Sequence, residues 1–207
     1  MLKTLQWTVL LIAGLNLIGC AKLLTVEESA PEVNISSEIG AVSIAVLDQR
    51  PYVLDKDKPA AFEGIIRSSL GIPYSYNTAT QEPMATFIGT RIEHGFKDRG
   101  IDATLHLTEL ETQLPDLIDE LGQDGKKSLV ISLNEWKYDF HAFSDSSWYD
   151  VDIIILDPAG KKLVSKNFTG ENDIPDSGAI MNEMQLIYKA RFEEVFSSPD
   201  IVDALTH

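Results

Sequence analysis

Ala41-Val42-Ser43-Ile44-Ala45-Val46-Leu47 is seven residues long, almost wholly apolar and rich in β-branched side chains. A run of that kind reads as a strand buried on both faces, because a half-exposed strand alternates polar and apolar side chains. It points to a sheet with helices packed on it. Asp48-Gln49-Arg50-Pro51 then ends the run.

Outward from this strand the pattern changes period several times. Residues 62–67 (FEGIIR) read as a second, weaker strand with a glycine inside it, and residues 70–82, with Gly71, Pro73 and Asn77, as a long loop. Met84, Phe87, Ile88, Ile92 and Phe96 recur every three or four residues until Gly100, which predicts an amphipathic helix. Ile101, Ala103, Leu105 and Leu107 alternate with polar residues, as in a half-buried strand. A short helix begins at Pro115 and buries Leu117, Ile118 and Leu121. Strands follow at 129–133 (continuing through Trp136), 150–156 and 163–169, the last two joined by the turn Asp157-Pro158-Ala159-Gly160. Ile180, Met184, Ile187, Tyr188, Phe192, Val195 and Phe196 mark one face of a long C-terminal helix that ends near Pro199. The expected architecture is an α/β domain over residues 41–207: a single mixed β-sheet of about six strands with two or three helices packed on it.

Upstream, Lys3 and the apolar run 5–18 have the layout of an export signal, and the run is shorter than the ~20 residues that a spanning helix needs. It closes on Leu17-Ile18-Gly19-Cys20, which resembles the lipobox of bacterial lipoproteins. The resemblance implies cleavage after Gly19, palmitate-type acylation of Cys20 and, with Ala21 next, outer-membrane sorting. Residues 1–19 are then a lipoprotein signal peptide. Residues 20–40, broken by Glu27, Glu28, Pro31 and Ser36, read as the lipidated cysteine and a flexible tether.

Without residues 1–19 the chain keeps 32 acidic residues and 16 basic ones, since that segment holds Lys3 and no acid. Such a charge is repelled by phosphate backbones, which argues against nucleic acid as a partner. Cys20 is the sole cysteine, so once it is acylated no thiol is left for a disulfide, a metal or nucleophilic attack.

No nucleophile elbow, zinc-protease motif, phosphate loop or dinucleotide fingerprint occurs, and an enzyme is not expected. His94, His106, His141 and His207 have no metal-pair spacing, and Asp139, Asp145, Asp150 and Asp152 lack a calcium-loop pattern, so neither metal nor cofactor is expected. The densest aromatic stretch is 136–149 (WKYDFHAFSDSSWY). One reading makes it a projecting hairpin on which Tyr138, Phe140, Phe143 and Trp148 grip a partner. The other puts the same rings beneath the helices as core.

Asp48-Gln49-Arg50-Pro51, Gly71-Ile72-Pro73, Leu133-Asn134-Glu135-Trp136-Lys137, Tyr149-Asp150-Val151 and Ala159-Gly160 together resemble the YajG-like family of bacterial lipoproteins. The resemblance implies an α/β envelope lipoprotein without an assigned activity. Arg50 is placed to pair with a carboxylate and pin the strand end, and Trp136 to roof the core. The expected function is a non-enzymatic binding or structural module, lipid-anchored in the outer membrane on the periplasmic side. Its partners are the bilayer, through acylated Cys20, and an envelope protein. The alternative is an auxiliary lipoprotein of a lipid or substrate transport system.

Overall fold

A computed structural model describes residues 22–141, 145–174 and 179–207. Seven strands form one mixed sheet: β1 (Ala41–Asp48), β2 (Phe62–Arg67), β3 (Pro73–Asn77), β4 (Asp102–His106), β5 (Lys127–Phe140), β6 (Ser146–Leu156) and β7 (Lys162–Asn172). The helices are α1 (Val26–Ser29), α2 (Pro51–Leu54), α3 (Met84–Asp98), α4 (Leu114–Leu121), α5 (Ile180–Ser197) and α6 (Pro199–Thr206). The mixed α/β sheet is the expected class.

The sheet is built around β5. One edge of β5 runs antiparallel to β6, which in turn pairs with β7. The other edge is divided: its first half is parallel to β1, through Val42–Lys127 to Asp48–Leu133, and its last three residues are parallel to β2, through Gly64–Tyr138 to Ile66–Phe140. With β4 outside β1 and β3 outside β2, the sheet forks. The β2–β3 arm projects past the end of β1.

Arg50 fills the fork. Its Nε and Nη2 donate to the two Asp48 carboxylate oxygens at 2.8 and 2.7 Å, Nη1 donates to the carbonyls of Phe62 and Trp136 at 2.6 and 3.2 Å, and Nη2 also reaches the Ala60 carbonyl at 3.1 Å. The Tyr52 hydroxyl donates to the same Trp136 carbonyl, 3.1 Å away. These carbonyls lie where no strand can supply an N–H, and an unpaired buried carbonyl is costly. A fully buried guanidinium with several donors meets that demand. Burial alone would lower the Arg50 pKa, but the hydrogen bonds and charge of Asp48 raise it.

Register explains why the aromatic half of β5 faces inward. Leu129, Ile131 and Leu133 point into the main core, and strict alternation would turn Trp136 and Tyr138 to the opposite face. A bulge between Leu133 and Glu135 adds one residue against β6 and restores the inward direction. Trp136 stacks on Phe192 at 5.5 Å between ring centroids and meets Tyr188 at 4.9 Å. α3, α5 and α6 cover this face, while α4 covers a smaller cluster around Leu47, Val130, Ile154 and Leu156 on the other.

Two expectations need correction. Residues 70–82 are not simply loop, because Pro73–Asn77 forms β3, a seventh strand that sequence periodicity does not announce: it pairs on one side only and stays largely exposed. The proposed tether is ordered from Lys22 onward. Ala30, Val33 and Ile35 are buried, the Arg91 Nε donates to the Ser29 hydroxyl at 2.9 Å, the Arg99 Nε donates to the Ile35 carbonyl at 3.0 Å, and the Asn182 amide clasps Lys22 and Leu24. Isolated apolar residues with no period sufficed because α3 and α5 leave a groove for them. Cys20 and the export signal lie outside the described residues.

Gly64 shows how tightly the arm is joined to the sheet. A Cβ there would stand 2.5–2.7 Å from three ring carbons of Tyr138, whose ring is fully buried. Gly64→Ala is expected to cost about 1–3 kcal/mol by overpacking, read as a lower urea midpoint at unchanged m-value.

Candidate functional site

The turn at residues 68–72 and the adjoining ends of β5 at Phe140 and β6 at Ser146 lie at one end of the molecule, because β2 runs parallel to β5 and β6 antiparallel to it. This end carries the most exposed apolar surface among the described residues. Leu70 is 85% exposed, Tyr74 53% and Ile72 50%, with Tyr76 also exposed beside them. Register joins these to the sheet: Tyr74 lies opposite Ile66, which lies opposite Phe140, and Tyr76 lies opposite Gly64, which lies opposite Tyr138. Ile66 and Phe140 are half-buried against the main core, so the surface runs without a break from the core to the exposed arm. The β2–β3 arm carries little charge. Residues 64–81 hold no acid at all, in a chain with 32 acids among 207 residues. Arg67 is paired with Asp139 through two bonds of 2.7 and 2.6 Å. Beside them a hollow of about 350 Å³ is lined by Gly71, His141, Ser146 and Trp148.

The four aromatic residues singled out from the sequence divide. Tyr138 is fully buried and unavailable to a partner, since the β5 bulge turns it onto Gly64 beneath the helices. Phe140 and Trp148 are half-exposed at the hairpin end, with Lys137 Nζ 6.0 Å from the Trp148 ring centroid. Phe143 lies outside the described residues. The sequence reading missed Leu70, Ile72, Tyr74 and Tyr76. The alternation of Ile72, Tyr74 and Tyr76 across Pro73 and Ser75 was the available signal.

Beneath this surface lies a closed polar cluster. A second bulge, between Phe62 and Gly64, leaves Glu63 unpaired in the ladder, and its side chain is 1% exposed. Burial pushes its carboxyl up to about 8, partly offset by the facing Tyr188 hydroxyl and by Arg91 and Arg50. The same burial raises the pKa values of Tyr138 and Tyr188. It draws the Arg91 and Arg191 guanidiniums down to about 10. Arg91 sits 3.4 Å over the Phe87 ring and donates to Gln185 and Ser29, while Arg191 donates to Asn172 and Ser147. These groups face one another rather than solvent, so they order the core.

The remaining polar candidates are dispersed. Asp150 and Asp152 share an open sheet face, where the amides of Asn134 and Asn167 each donate to both carboxylates at 2.7–3.2 Å. His94 lies 3.2 Å from Asp98, His106 lies 2.9 Å from Asp124, and the His141 amide donates to Asp145. Among the described residues no group of three His, Cys, Asp or Glu side chains is placed to hold a metal ion. A cleft of about 730 Å³ between residues 27–34, α3 and α5 mixes Glu27, Glu32 and Glu193 with Arg99 and Lys189. No helix among the described residues is long and apolar enough to cross a membrane.

No family model and no curated protein matches the chain. Among solved structures it is similar to the crystal structure of an uncharacterised protein, with a TM-score of 0.47 and 9% identity, covering 84% of this chain and 96% of that one. It is also similar to lipoprotein GNA1162 from Neisseria meningitidis, with a TM-score of 0.33 and 15% identity over 77% and 99% of the two chains. A neuraminyllactose-binding hemagglutinin homolog from Helicobacter pylori scores 0.35 with 11% identity over 89% and 96%. At these scores the likeness is one of general chain course and assigns no function.

Proposed function

We propose that this chain is a lipid-anchored, non-enzymatic module of the bacterial envelope, of the YajG-like kind, held by acylated Cys20 in the outer membrane and facing the periplasm. Its binding surface is the apolar end formed by the β2–β3 arm and the adjoining ends of β5 and β6. The observation that carries this reading is the exposed, acid-free run of Leu70, Ile72, Tyr74 and Tyr76 on a strongly acidic protein. Large exposed apolar surface of that kind marks an interaction site. The lipobox-like Leu17-Ile18-Gly19-Cys20 supplies the anchor. Two or three acyl chains give nearly permanent attachment, each buried CH₂ contributing ~0.8 kcal/mol.

Labelled palmitate is expected to enter the wild-type protein and to be absent from Cys20→Ser, which should also leave the membrane fraction. Equal labelling of both proteins would refute the anchor. Replacing exposed Leu70 and Ile72 with Ser is expected to abolish crosslinks to envelope components at unchanged thermal stability.

A further inference from the structure

We infer that the surface bound by the hairpin end is the bilayer itself: the domain stands on the membrane with Leu70, Ile72, Tyr74 and Tyr76 in the headgroup layer. This rests on the anchor proposed above and names what the surface contacts.

The first line of support is where the described chain begins. Residues 22–40 run parallel to α3 and α5, as successive contacts show: Ser29 with Arg91 and Ile35 with Arg99 along α3, and Lys22 and Leu24 with Asn182 in the first turn of α5, then Glu32 with Glu193 further along it. α5 itself leads away from the hairpin end. Tyr188 lies against Trp136, Phe196 against Phe96, and α6 then places the carbonyls of Ala204 and Leu205 on Lys127, the first residue of β5. Lys22 therefore sits toward the hairpin end. Only Ala21 lies between it and Cys20, so the two Cα atoms are at most about 7 Å apart. With the strap fixed to α3 and α5, an anchor so short brings this end of the domain to the membrane and lets it tilt little.

Composition gives the second, independent line. Tyrosine favours the membrane interface, with its ring among the upper acyl carbons and its hydroxyl among the headgroups. Tyr74 and Tyr76 alternate with Ser75 on the edge strand, and Leu70 and Ile72 project from the turn before them. Anionic headgroups repel carboxylates, and residues 64–81 carry none. At the same end Asp139 is neutralised by Arg67 and Asp145 accepts from the His141 amide. A second copy of the chain is the poorer occupant, because two such domains repel one another.

Cys20 is the only native cysteine, so a label can be placed at a single site once it is acylated. Leu70→Cys and, near the opposite end, Gln123→Cys are both exposed and should not disturb folding. The full chain, processed in cells, is reconstituted into phosphatidylethanolamine–phosphatidylglycerol vesicles and spin-labelled, and collisions with oxygen and with a nickel chelate are compared. The mass of the N-terminal peptide reports acylation of Cys20 separately. The expected result is an oxygen-to-nickel collision ratio severalfold higher at position 70 than at 123. Equal ratios would overturn the inference, and acylated Cys20 in the same sample would leave the anchor standing. Dipolar broadening at position 70 without oxygen access would also overturn it, by assigning the surface to a second copy.

Discussion

Arg50→Ala is expected to lower the unfolding free energy by about 3–5 kcal/mol, the usual cost of removing one partner from a buried ion pair. The substitution strands the Asp48 carboxylate in the core and takes the side-chain donor from the carbonyls of Phe62, Trp136 and Ala60. Lysine should not rescue it, because a single ammonium cannot reproduce the paired bonds to Asp48 together with those to the carbonyls. Chemical denaturation checks the value. Arg67→Ala serves as the contrast: its pair with Asp139 is partly exposed and screened by solvent, so the loss should be far smaller. Equal losses for the two would show that the fork does not depend on Arg50. Because Arg50 joins the β2–β3 arm to the end of β1, the variant should also loosen the arm that carries Leu70 and Tyr74. Hydrogen exchange in residues 62–77 is expected to accelerate.

Glu63 gives the second large effect, and its sign is opposite to that of an ion-paired carboxylate. Its folded pKa, about 8, stands above the ordinary carboxyl value of 4.5. Between those values the folded protein holds a proton that the unfolded chain has released, so stability falls as pH rises from about 4.5 to about 8. The slope from this group approaches about 1.4 kcal/mol per pH unit within that window. Below about pH 4.5 the group contributes no slope, since both states are protonated. Glu63→Gln removes the titration while keeping the shape. The stability of the variant minus that of the wild type should therefore grow steadily from pH 5 to pH 8, measured by urea midpoints at each pH. A difference independent of pH would show that Glu63 is ionised in the native state. Such a variant also tests whether the closed cluster has any part in binding, because it should leave the apolar end unchanged.

The strand at 41–47, the helices beginning near residues 84 and 180 and the mixed sheet were all legible in the sequence, because each rests on a local period of apolar side chains. Two structural roles were legible as well. Arg50 does meet a carboxylate at the strand end, and Trp136 does lie in the core beneath α5. The candidate surface was only half legible. Phe140 and Trp148 stood out by composition, whereas Leu70, Ile72, Tyr74 and Tyr76 were hidden among Gly, Pro and Ser.

What the sequence determined by itself is what short-range pattern and composition can carry: the α/β class, the lipobox-like Leu17-Ile18-Gly19-Cys20, the acidic charge and the face of each long helix. Tertiary structure alone decided the rest. It turned Tyr138 inward through a one-residue bulge, made a strap of residues 22–40, and gathered Leu70, Ile72, Tyr74, Tyr76 and Phe140 at one end. Bulges, edge pairing and helix–helix grooves depend on residues distant in the chain, and no window of local sequence contains both partners.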